Sequence, residues 1–105
     1  MPDSNPGFKS FREFYPFYIS QHSNITSRRL HFIGLLLGLI WLVCVIAGGM
    51  SLWYLLVSLL LGYGFGFVGH FVFEKNKPAT FRYPLYSFIA DFKMMTDILS
   101  GKIKY

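Results

Sequence analysis

The segment from Leu30 to Phe73 runs for 44 residues without an Asp, Glu, Lys or Arg. Few folds in water can use such a run, whereas a bilayer needs it. A membrane helix takes about 20 residues at 1.5 Å each, so two helices and a turn of about four residues consume the segment. Gly48-Gly49-Met50-Ser51 supplies the turn signal at its middle. Two of the three histidines, His31 and His70, lie near the two ends of the run. Their midpoint falls at Met50–Ser51, so a regular hairpin places both at one depth, close to one membrane face. An ionisable side chain at membrane depth is costly unless it has a role, which makes these two the first functional candidates.

The chain is therefore expected to be an all-α membrane protein, one domain over residues 1–105. Its centre is a two-helix transmembrane hairpin, with helices over about 28–48 and about 52–74. Residues 1–7 carry Pro2, Pro6 and Gly7 and read as a loose start. Phe8, Phe11, Tyr15 and Tyr18 then share one helical stripe, with Lys9, Arg12 and Glu13 off it. This predicts an interfacial amphipathic helix over about 8–20, bent or interrupted near Pro16. Asn24, Thr26 or Ser27 can cap the first membrane helix. A second interfacial helix is expected over about 84–100, from the recurrence of Leu85, Phe88, Ile89, Phe92, Met95 and Leu99. Pro84 suits its first position and Gly101 its stop, while Asp91 and Asp97 read as its solvated face.

The formal charge is +5, but the basic residues flank the apolar run and form no nucleic-acid reader motif. Anionic lipid headgroups or an acidic substrate are the better partners, and nucleic acid is not expected. The turn between the helices carries no basic residue, so the positive-inside rule puts both termini in the cytoplasm, whether the membrane is a bacterial inner membrane or the endoplasmic reticulum. No cleavable signal peptide is apparent, and the chain is expected to insert by its own helices. Cys44 is the single cysteine, which excludes an internal disulfide and a cysteine zinc site and leaves a small packing residue. The sequon Asn24-Ile25-Thr26 should be silent on the cytoplasmic side. Gly-x-Ser-x-Gly, P-loop and His-Glu-x-x-His signatures are absent.

Small residues mark where membrane helices approach. His31, Gly34 and Gly38 lie on one face of the first helix; Gly62, Gly66, His70 and Glu74 follow at intervals of four on the second. If these stripes pack together, His31 faces His70, with Glu74 one turn nearer the cytoplasm and His22 able to fold over the opening. Imidazole suits iron, zinc, copper or nickel, and two histidines with a carboxylate commonly hold non-haem Fe(II). The spacing alone also allows a plainer arrangement, in which the histidines make interhelical hydrogen bonds and Glu74 pairs with Lys75, Lys77 or Arg28.

Two blocks of the sequence resemble a known family. Phe17, Tyr18, His22, Asn24 and His31 match its opening pattern; Gly69, His70, Phe73, Glu74, Lys75, Pro78 and Ala79 match its late block. The family is that of small membrane proteins typified by the fungal 2-hydroxy-fatty-acid dioxygenase of phytosphingosine breakdown. The resemblance implies an Fe(II)-dependent enzyme that uses O2 to shorten a 2-hydroxy fatty acid, or a related lipid, by one carbon (α-oxidation). It implies His22, His31 and His70 as catalytic metal ligands, with Glu74 as a further ligand. Arg28, Arg29, Lys75 and Asn24 become candidates for binding the substrate's polar end, and the acyl tail would lie between apolar helices. The fungal chain has extra membrane helices between the two blocks, including a further histidine-containing segment, where this chain has only the Gly48–Ser51 turn. Gly64 and Gly69, on further faces of the second helix, leave room for a homodimer that rebuilds a four-helix bundle. The competing expectations are a non-catalytic lipid-binding or assembly protein and a metal handler without oxygenase activity.

Overall fold

The structure is a computed structural model that describes residues 7–105. The loose start expected over residues 1–7 lies, apart from Gly7, outside the described residues. The described chain is all-helical. Helix α1 spans Phe11–Ser20, α2 Ile25–Ala47, α3 Leu55–Val68 and α4 Pro84–Leu99. A 3-10 turn, Leu52–Tyr54, leads into α3, and a π-helical turn, Gly69–Glu74, continues it. A second 3-10 turn, Ala79–Phe81, precedes α4.

The hairpin is built from α2 and the continuous segment Leu52–Glu74, each 23 residues long and apolar enough to cross a membrane. At 1.5 Å per residue each is about 35 Å long, more than the roughly 30 Å of a hydrocarbon core. Asn24 caps α2, its side chain accepting from the Ser27 N–H at 3.1 Å. Gly48 ends the helix, and Gly49 takes the left-handed φ of 62° that turns the chain. Ser51 then caps the incoming 3-10 turn.

The glycine stripe on α2 is the seam of the hairpin. A Cβ on Gly34 would lie 2.6 Å from Phe65 Cβ and 2.7 Å from the Leu61 carbonyl; one on Gly38 would lie 3.0 Å from the Ser58 carbonyl. On the facing segment the stripe differs from expectation. A Cβ on Gly62 would meet nothing within 4 Å, so this glycine borders open space. A Cβ on Gly69 would lie 2.8 Å from Ser27 Oγ. Gly69 is thus committed to packing within the chain and is not spare surface for a second copy.

The two amphipathic helices pack on each other beside the histidine end of the hairpin. Phe14 and Tyr18 of α1 are buried with Ala90, Met94 and Ile98 of α4 in the main core cluster. Burying each large side chain contributes about 1.5–3 kcal/mol. The helix begins at Phe11 because Ser10 Oγ accepts from the Glu13 N–H. Pro16 lies inside it without interrupting it, at the cost of one backbone hydrogen bond.

Two expectations, for the aspartates of α4 and for Cys44, are corrected here. The large apolar residues of the stripe on α4, among them Leu85, Phe88, Ile89 and Leu99, are exposed, whereas Met95 is buried. The opposite face, with Ser87, Ala90, Met94 and Ile98, packs inward because its small residues let α1 come close. Asp91 and Asp97 are not a solvated face: each accepts a tyrosine hydroxyl from α1, Asp91 from Tyr18 and Asp97 from Tyr15 at 2.7 Å. Cys44 is exposed on the outside of the hairpin, where it packs no core.

Candidate metal centre

Each histidine reaches the centre from a different element. His22 sits one residue past the C-cap of α1, and its N–H closes a turn onto the Ile19 carbonyl at 3.0 Å. His31 lies in the second turn of α2, and His70 in the π-helical turn, a rare form that recurs at functional sites. The three rings meet edge to face, with centroids 4.3 Å apart for His22 and His31, 4.6 Å for His22 and His70, and 4.8 Å for His31 and His70. The matched depth expected from the hairpin is what brings His31 to His70. A Cβ on Gly66 would lie 3.0 Å from His31 Nε2, so glycine there makes room for the ring.

The other nitrogen of each ring is tied to an oxygen that can only accept. His22 Nδ1 lies 2.6 Å from the Tyr18 carbonyl and His31 Nδ1 2.9 Å from the Ser27 carbonyl. His70 Nδ1 lies 2.6 Å from Asn76 Oδ1. The Asn76 amide is oriented by its own nitrogen, which donates to the Gln21 carbonyl at 3.3 Å and to Gln21 Oε1 at 3.1 Å. Each Nδ1 therefore carries the proton, and each neutral ring presents a bare Nε2 lone pair to the centre. His22 Nε2 and His31 Nε2 stand 3.1 Å apart. Two lone pairs at that distance repel unless a cation lies between them. Burial, and then the neighbouring His31, hold the His22 pKa well below the ordinary imidazole range, so a proton is poorly suited to that place. One ligand atom from each ring lies within 4.8 Å of the others, a group that can hold a metal ion. The carbonyl and amide partners are the outer contacts that orient metal-binding imidazoles.

The other candidates surround this group without joining it. Glu74 accepts from the Asn24 backbone N–H at 2.9 Å and from Ser23 Oγ at 3.4 Å, pinning the start of α2 to the end of the π-helical turn. The side chain of Asn24 is occupied as a cap. Arg28 donates to the His22 carbonyl and the Lys104 carbonyl, both at 3.1 Å, so it fixes the loop that carries His22. Arg29 lies over the Tyr105 ring, 4.8 Å from its centroid. Lys75 takes the left-handed conformation, φ 58°, that ends the π-helical turn and swings Asn76 back toward His70.

Sequence reasoning missed Asn76 and the contribution of α4. Asn76 lies inside the Glu-Lys-Asn-Lys-Pro-Ala run, where a side-chain amide six residues after a histidine is a readable signal. A small polar cavity of about 20 Å³ adjoins the histidines and is lined also by Ser87 and Asp91 of α4. A larger apolar groove of about 320 Å³ begins at His31 and Asp91 and runs between the two hairpin helices to Leu42 and Leu55. Gly62, Tyr63, His31 and Asp91 border both spaces.

Burial raises the Asp91 pKa from 3.8 to about 6, against the opposing effect of the Tyr18 hydroxyl. Its sign is set by the proton: between these values the folded chain holds a proton that the unfolded chain has released. Stability therefore falls as pH rises through this window and levels above it. In Asp91→Asn that slope should vanish, so the variant's melting temperature should gain on the wild type between about pH 4 and pH 6. Thermal unfolding in detergent across that range measures the difference.

No curated protein and no solved structure matches the chain. One family does, described as 2-hydroxy-palmitic acid dioxygenase Mpo1-like, and the match runs from residue 8 to residue 103. It takes in all three histidines, Asn76 and the whole of α4. With its histidine cluster and a family match over nearly all of its residues, the chain belongs to the Mpo1-like 2-hydroxy-palmitic acid dioxygenase family.

Proposed function

We propose that this protein is a membrane-embedded, Fe(II)-dependent dioxygenase that shortens a 2-hydroxy fatty acid by one carbon. The convergence of three bare Nε2 atoms, each fixed through its Nδ1, carries the reading. His22, His31 and His70 would hold the metal, a set that uses a third imidazole where many iron sites use a carboxylate. Bound iron(II) would supply the activation of O2. Hydroxyl and carboxylate oxygens of a 2-hydroxy acid are the donors that suit an open metal position. Burial of His22 and His70, with His31 half-buried, would limit water at the centre.

The surroundings support a lipid substrate. Only 17% of the most apolar window of each hairpin helix is buried. Ile46, Leu52, Trp53 and Leu60 are more than two-thirds exposed, a surface that suits lipid contact rather than water. The proposed placement is a hairpin spanning the bilayer, with both termini and the histidines at the cytoplasmic side and α1 and α4 in the interface. The groove suits an acyl tail. The eleven-residue step from His31 to Leu42 spans about 16 Å along the helix. Carbon–carbon bonds of about 1.5 Å advance an extended chain about 1.25 Å per atom, so the groove takes on the order of a dozen carbons.

Oxygen consumption by the iron-loaded protein with 2-hydroxypalmitate, and mass spectrometry of the acid formed, test the proposal. Product one carbon shorter is expected; absence of both uptake and product, in protein that holds iron, would sink it. Apparent affinity should rise about fourfold per methylene until the groove is filled and then flatten. Gly62→Leu has room for its side chain at the neck of the groove. It should shift the optimum to shorter acids without unfolding the protein, as read by initial rates across a chain-length series.

A further inference from the structure

The histidines form one wall of the small cavity, and α4 forms another. Ser87 and Asp91 stand four residues apart on α4, which puts them on one face in successive turns. Both line the cavity with His22, His31 and His70. Ser87 is 1% exposed, and its hydroxyl has no hydrogen-bond partner among the described residues. A buried hydroxyl left unpaired costs stability, and helix α4 gains nothing from it that alanine would not give. Its position beside the metal-binding group points to a ligand as the missing partner. Asp91 is anchored at one oxygen, Oδ1, by the Tyr18 hydroxyl, which fixes the carboxyl at the junction of cavity and groove.

We infer that Ser87 and Asp91 are positioning residues that read the 2-hydroxyl of the lipid acid, Ser87 donating to its oxygen and Asp91 accepting its proton in a hydrogen bond. A hydroxyl offers one donor and two acceptor sites, so it can satisfy both residues and still present a lone pair toward the histidines. An acid without the hydroxyl leaves Ser87 unpaired and Asp91 facing methylene. A site built to hydrogen-bond a group rejects the analogue that lacks it more strongly than an apolar pocket can. The groove beginning at Asp91 then receives the tail. This inference rests on the lipid-acid reading above and names the residues that select within that class.

The test is displacement of a fluorescent fatty acid from the iron-loaded, anaerobic protein by 2-hydroxypalmitate and by palmitate. Wild-type protein should prefer the hydroxy acid. Ser87→Ala and Asp91→Asn should each cut that preference about tenfold while leaving palmitate affinity and iron content unchanged. Ser87→Ala should melt no earlier than wild type, since it removes an unpaired buried group. Asp91→Asn keeps an oxygen for Tyr18. No preference in the wild type, a preference unchanged in either variant, or an equal loss for both acids would overturn the inference. The assay needs no turnover. An intact preference without oxygen consumption would defeat the dioxygenase reading alone, and oxygen consumption with an unaltered preference would defeat this inference alone.

Discussion

His70→Ala should lower iron affinity by more than about a hundredfold and abolish oxygen consumption, because losing a ligand should exceed the ten- to hundredfold cost of losing a contact behind one. His22→Ala and His31→Ala should behave alike, since one ligand atom from each ring lies within 4.8 Å of the others. Asn76→Ala removes only the acceptor behind His70 and should cost about ten- to hundredfold in affinity. The gradation matters: equal, small effects at all four positions would indicate scattered hydrogen bonds instead of a centre. Metal analysis of the purified variants after anaerobic loading reads it directly.

Gly34→Leu should be the most damaging substitution for the fold. Its Cβ would fall 2.6 Å from Phe65 Cβ and 2.7 Å from the Leu61 carbonyl, and a backbone oxygen cannot swing aside. Prising α2 from α3 should cost about 3 kcal/mol and separate His31 from His70. Gly62→Leu, on the same hairpin but facing open space, should leave the melting temperature nearly unchanged. A pair of melting curves in detergent checks both.

The hairpin was legible because its cause is local. A charge-free run and a glycine turn fix two helices, and equal spacing from the turn brings His31 and His70 to one depth. The structure ends α2 at Ala47, one residue before the expected boundary, and begins it at Ile25, three before, because Asn24 is the cap. Hydropathy marked the apolar stripe of α4 but not that the opposite, smaller face packs against α1. Here the large apolar residues point outward, and the small face with Ser87 and Ala90 packs inward. Asp91 then looked solvated, although Tyr18 pairs with it across 73 positions of sequence. Glu74 looked like a ligand by its spacing from His70. The π-helical turn changes that register, and its carboxylate meets Asn24 and Ser23.

The most direct measurement is an anaerobic Fe(II) titration of the protein in detergent, followed by X-ray absorption at the iron edge. The account predicts saturation at one iron per chain with three imidazole nitrogens in the ligand shell. Wild-type protein that stays metal-free under these conditions, or iron bound without imidazole, would contradict it.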